Sequence, residues 1–126
     1  MFAVLFASGL LLQTSYRSDV DNALAQVRAT KAAYERCLVE RADALYRGSD
    51  SPELERAIMN QCRRELSAYE DAVAGGTPEV RASIASSIGP MLPVMAQLAI
   101  GAVAACKQNA NRLSAADLAL CAKGGN

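Results

Sequence analysis

The placement of four cysteines constrains this chain more than any other feature of its sequence. Cys37 lies twelve residues before Ser49, and Cys62 lies twelve after Asp50. An antiparallel helical hairpin that turns at Ser49-Asp50 therefore brings the two thiols to the same height. Leu45 and Leu54 are equidistant from the same midpoint and belong to the same apolar pattern. Cys106 and Cys121 repeat the symmetry about a midpoint between Leu113 and Ser114. Neighbouring helices lie about 8–10 Å apart, and small neighbours such as Ala33 and Ala57 let the axes close to the separation that a disulfide requires. Of the three pairings open to four cysteines, this arithmetic selects Cys37 with Cys62 and Cys106 with Cys121. The competing reading is four buried free thiols in a reducing compartment; the even count and the apolar start favour disulfides and export. In the loop-entropy model each staple contributes about 3 kcal/mol, a large share of the stability of a chain this size.

The hairpins are helical by periodicity. From Ser18 to Tyr46 the residues Val20, Leu24, Val27, Tyr34, Leu38 and Leu45 recur at steps of three, four or their sums, as one helix face requires. Lys31 and Arg41 fall on that register, where their stems lie along the stripe and their charges reach water. Lys31 with Glu35, Arg36 with Glu40, and Asp43 with Arg47 are spaced as i,i+4 pairs on the solvated face. Gly48 ends the helix, and Asp50 or Ser51 caps the next, with Pro52 suited to its first position. That second helix carries Leu54, Ile58, Cys62, Leu66, Tyr69 and Val73 on one stripe and stops at Gly75-Gly76. Thr77-Pro78-Glu79 starts a short helix over 78–88, and Gly89-Pro90 is expected to break it. A fourth helix runs from about Met91 to Asn109. Asn111-Arg112-Leu113-Ser114 is a connector, and Ser114 with Asp117 opens a last helix to about Ala122. The expected architecture is all-α: a small bundle of four to five helices in one domain over 16–126, with a hairpin at 17–75, the helix at 78–88 and a hairpin at 91–123. Residues 1–15 precede it as a signal peptide or an apolar N-terminal helix.

That N-terminal segment reads as an address. Met1–Leu12 is an uncharged apolar run, suited to the hydrophobic part of a secretory leader and too short to cross a bilayer. No Lys or Arg precedes it and no clean A-x-A site follows. The alternative is an uncleaved helix packed on the core. With the cysteines, the run points to a periplasmic or secreted protein.

Composition narrows the function classes. Thirteen basic residues balance thirteen acidic ones, and Arg63-Arg64 is too small a cluster to suggest nucleic-acid or anionic-lipid binding. No nucleic-acid partner is expected. The chain has no histidine, so Ser-His and Cys-His nucleophile pairs cannot form. Wide cysteine spacing without C-x-x-C argues against a zinc knuckle or a redox pair, and no metal or other cofactor is expected. A carboxylate enzyme would have to draw on Glu35, Glu40, Asp43, Glu65, Glu70 and Asp71, each of which also reads as a solvated helix charge.

One stretch stands apart. The 25 residues between Arg81 and Lys107 carry no charge. A membrane segment over 84–105 is one reading, but Gly89-Pro90 and Pro93 leave only Met91–Cys106 as a continuous helix, about 24 Å, against about 30 Å of hydrocarbon. The favoured reading is a central helix covered by the stapled hairpins. A third is that part of it stays uncovered, with Met91, Met95 and Leu98 forming a homodimer or partner surface. The leading functional expectation is thus an exported, non-catalytic helical protein with a structural or interaction role; a membrane-associated protein and a carboxylate enzyme are the alternatives.

Overall fold

Helix α1 (Phe2–Leu45) is one rod of 44 residues, about 66 Å long at 1.5 Å per residue. The computed structural model describes residues 2–110, 112, 114–116 and 121, with side chains from Arg17 onward. No glycine or proline occurs from Leu10 to Arg47, so nothing in the backbone separates the apolar start from the stripe that follows. The rod ends where predicted. Tyr46 N–H still donates to the Ala42 carbonyl at 2.8 Å, and Gly48 then takes a left-handed φ of 106°. The Arg47 guanidinium donates to the Ala44 and Tyr46 carbonyls, each at 3.0 Å, covering acceptors that the helix end leaves open.

Helix α2 (Pro52–Gln61) begins on Ser51, whose hydroxyl accepts the Leu54 N–H at 3.0 Å, with Pro52 in the first turn. Ser51, not Asp50, is therefore the cap. The single helix expected from here to Gly75 is interrupted at Cys62 (φ −108°, ψ 20°), which separates α2 from α3 (Arg63–Ala74). Cys62 N–H reaches back three residues to Met59 instead of four, a tightened step at the residue that the disulfide fixes. The consequence is a division of labour: α2 packs on α1 and on the last long helix, whereas α3 packs on α1 and α4.

Gly75 and Gly76 reverse the chain with φ of 63° and 85°, and α4 (Pro78–Ile88) follows. The break expected at Gly89-Pro90 does not occur. Gly89, Leu92 and the flanking residues all keep right-handed helical angles, and a 3₁₀ turn (Gly89–Met91) leads straight into α5 (Leu92–Gln108). The two prolines tolerate this because the hydrogen-bond pattern shifts around them. Pro93 has no N–H to give to Gly89, so that carbonyl accepts from Leu92 instead. The result is one helical run of 31 residues, Pro78–Gln108.

Three rods thus lie side by side. The α2–α3 rod runs antiparallel to α1 through the Cys37–Cys62 bond. The α4–α5 rod runs antiparallel to α2–α3: Arg81 Nε pairs with Asp71 at 3.1 Å at one end, and Gln97 donates to Glu55 at 3.0 Å at the other. It returns parallel to α1, where Lys107 Nζ donates to the Asp43 carbonyl at 2.8 Å and lies 5.8 Å from the centre of the Tyr46 ring. The core is concentrated at one end, between Tyr34, Leu38, Ala42 and Tyr46 of α1 and its last turn, Ile58 and Cys62 at α2, and Ala96, Ala99, Ile100 and Val103 of α5. Alanines on α5 let it approach Tyr34 and Leu38 closely, so few aromatics suffice. Val20 and Leu24, expected on the buried stripe, are exposed, because that stretch of α1 extends past the packed core.

Near the C-terminus, Arg112 N–H donates to the Asn109 carbonyl at 2.9 Å. Ala115, Ala116 and Cys121 are helical; Asp117 and most of the expected last helix lie outside the described residues. The chain is an all-α bundle with two disulfides, Cys37–Cys62 and Cys106–Cys121, as its spacing predicts.

Candidate interaction surface

Each disulfide spans a Cα–Cα separation of 5.9 Å. Cys62 is fully buried and Cys37 partly so, which places the first bond at the edge of the core; the second ties the end of α5 to the terminal segment. Both bonds are consistent with an oxidising compartment. Glu65 brings a carboxylate oxygen within 4.8 Å of both sulfurs of the first bond. Those sulfurs are bound to each other, so no thiolate is offered to a metal in this state.

The more informative feature is the rod formed by α4 and α5. The expectation that stapled hairpins cover its apolar length is overturned: only 22% of its most apolar 18-residue window is buried. One face, Ala96, Ala99, Ile100 and Val103, packs into the core. The opposite face is open. Met91 is 56% exposed, Val94 52% and Leu98 68%, and Gly101, Ala102 and Ala105 continue the exposed line toward the C-terminal end. At 100° per residue, Met91, Val94, Leu98, Ala102 and Ala105 fall within about 80° of arc, a narrow stripe along the helix. Of the three residues singled out in the sequence, Met91 and Leu98 lie on this stripe. Met95 is half-buried beside it and, with Leu38, Val39 and Ala99, lines a shallow, mostly apolar groove of about 270 Å³ between α1 and α5, to which Leu98 and Ala102 of the stripe and Glu35 of α1 also contribute.

A second, polar hollow of about 720 Å³ lies over the Cys37–Cys62 bond. It gathers Arg36 and Arg41 from α1 and Arg63 and Arg64 from α3, with Glu40 and Glu65 among them; four cations against two carboxylates leave two positive charges in excess. Sequence reading assigned Arg63-Arg64 to plain helix surface and missed Arg36 and Arg41, which α1 supplies from across the bond. The register that pairs Cys37 with Cys62 sets Arg36 level with Arg63, so the signal was in the same arithmetic. Arg63 is held by the Asn60 side chain at 3.0 Å. One oxygen of Glu65 is buried with no hydrogen-bond partner.

The other candidate acids are dispersed. Glu35 pairs with Lys31 at 3.8 Å, Asp71 with Arg81, and Asp43 with Lys107 at 3.7 Å rather than with Arg47 as its spacing suggests. Glu40 and Glu65 both line the polar hollow. Glu70 stands near Tyr34, whose phenol is held above its ordinary range by burial first and by the Glu70 charge second.

Comparison with protein-family models, with curated proteins and with solved structures finds no match. The fold and the surface together define a class by physical character alone: a disulfide-stapled helical bundle that leaves an apolar helix face uncovered.

Proposed function

We propose that this chain is an exported, non-catalytic helical protein that acts by contact, and that its contact surface is the open stripe of α5. The observation that carries the reading is the mismatch on the α4–α5 rod: 25 consecutive uncharged residues, of which only Ala96, Ala99, Ile100 and Val103 are buried while Met91, Val94 and Leu98 stand more than half exposed. Soluble proteins rarely expose a contiguous apolar strip without a partner for it. The apolar start at Met1–Leu12 and the two disulfides support export to the periplasm or beyond the cell.

The test has two parts. Protein from the native host, fractionated by osmotic shock and weighed intact before and after reduction and alkylation, should be released without detergent and gain four alkyl groups only after reduction. Retention in the reducing cytosol with four free thiols would refute export. Leu98→Asp, measured in dilute solution, should lower the thermal midpoint by no more than about 4 °C, the helix-propensity cost of an exposed site, because a 68%-exposed leucine contributes little to a monomer core. A fall of the size that a buried leucine gives would refute the open surface.

Membrane association is the second reading, favoured by one observation. Among the described residues, the run Pro78–Gln108 is long and apolar enough to cross a bilayer by length and composition, and at about 46 Å it removes the shortfall expected from a break at Gly89-Pro90. Against a span stands the packing: α5 is clasped by α1 and α2, which carry the exposed charges Lys31, Glu35, Arg36, Glu40, Arg41 and Arg56. Placing the bundle in lipid would take those charges with it.

A further inference from the structure

The open stripe has an order of sizes that fits itself. Reading toward the C-terminal end, the side chains are Met91, Val94, Leu98, Ala102 and Ala105: large at one end, small at the other, with Leu98 at the centre. Turned over and laid antiparallel on a second copy about a two-fold axis through Leu98, the stripe meets its own complement. Met91 faces Ala105 and Val94 faces Ala102, each large group opposite a small one, and the two Leu98 side chains meet on the axis. Such isologous pairing is what a two-fold dimer requires, and alanines on the facing helix permit the close approach that packing needs. The helix itself carries no charge between Arg81 and Lys107, and Glu35, which borders Leu98 and Ala102 from α1, is paired with Lys31.

We propose that the partner of this surface is a second copy of the chain, bound through antiparallel α5 helices centred on Leu98. The proposal rests on the open-surface reading given above and names its occupant. The overlap runs from about Ser87 to Asn109, on the order of 33 Å of helix. Burying the stripe on both copies removes on the order of 1,000 Å² from water, the low end for a specific interface, which fits a weak dimer that exchanges in solution.

Sedimentation of the full, disulfide-bonded chain tests this. Wild type should pass from monomer to dimer between about 1 μM and 0.5 mM. Leu98→Asp places two carboxylates on the axis and should weaken association at least tenfold. The register is tested by exchange of sizes: Ala102→Leu clashes with Val94 of the other copy and should weaken the dimer tenfold or more, and adding Val94→Ala to the same chain should restore it to within about threefold. Circular dichroism and the midpoint in dilute solution verify that each variant is folded. A dimer that ignores Leu98→Asp, or an Ala102→Leu defect that Val94→Ala does not repair, overturns the pairing. A wild type that stays monomeric to 0.5 mM also overturns it, whether or not it binds phosphatidylcholine vesicles. If Leu98→Asp then keeps its dilute midpoint within about 4 °C, the open surface stands and only its occupant is wrong; if the midpoint falls further, both readings fail.

Discussion

Tyr34 is the largest fully buried side chain among the described residues, and no protein group hydrogen-bonds to its hydroxyl. The ring packs in the core cluster, and the oxygen is enclosed with it without a protein hydrogen-bond partner. Leaving a neutral hydroxyl in that condition costs about 1–3 kcal/mol. Tyr34→Phe removes the oxygen and keeps the ring, so the variant should gain about 1 kcal/mol and melt about 4 °C higher. Tyr34→Ala, which empties the site, should lose about 3–5 kcal/mol. The pH dependence supplies an independent check. Burial, and then the Glu70 charge, raise the phenol above its ordinary value of 10.0 in the folded protein. Between that value and the raised one the native state holds a proton that the unfolded state has released. Stability contributed by the neutral phenol is therefore complete below pH 10, falls as the pH rises through that window, and is gone above the folded value. Tyr34→Phe has no such term, so its advantage should widen on the alkaline side. Urea unfolding followed by far-UV circular dichroism at pH 8 and at about pH 11 measures both effects. A Tyr34→Phe variant less stable than wild type at pH 8 would refute the unpartnered hydroxyl, and parallel alkaline limbs would refute the titration.

Three further outcomes follow from the packing. Replacing Cys37 and Cys62 together by alanine should cost about 3 kcal/mol in urea unfolding, because that bond closes a 25-residue separation across the core, whereas the same change at Cys106 and Cys121 should free the terminal segment and move the main transition by much less. Ser51→Ala removes the acceptor for the Leu54 N–H and should lower stability by about 1 kcal/mol, with Ser51→Asp retaining it. Lys107→Met should cost under 1 kcal/mol, and the loss should shrink with added salt, since the ammonium caps an α1 carbonyl from an exposed position; an unchanged midpoint at low salt would argue that the contact contributes nothing.

The relation of sequence to structure is clearest at the places where the two part. Helix starts and stops at Gly48, Ser51, Pro78 and Gly75-Gly76 were legible because each is a local event, decided by one residue's backbone freedom or one side chain's reach. The disulfides were legible for a different reason: a helical hairpin makes height along the rod a linear function of residue number, so symmetric cysteines must meet. The same linearity would have set Arg36 beside Arg63, had it been applied to charges as well as sulfurs. Gly89-Pro90 was misread because a helix breaker acts through the carbonyls it leaves unpaired, and those carbonyls have a second option. Before Pro90 the Gly89 N–H still reaches the Ala85 carbonyl, and at Pro93 the Leu92 N–H takes the Gly89 acceptor that the proline cannot use, so the rod continues through both. From that continuity follow the 31-residue run and the uncharged face it carries past the core. An apolar stripe read from sequence does not say which of its residues the chain itself buries; the structure shows that the core uses Ala96, Ala99, Ile100 and Val103 and leaves Met91, Val94 and Leu98 exposed.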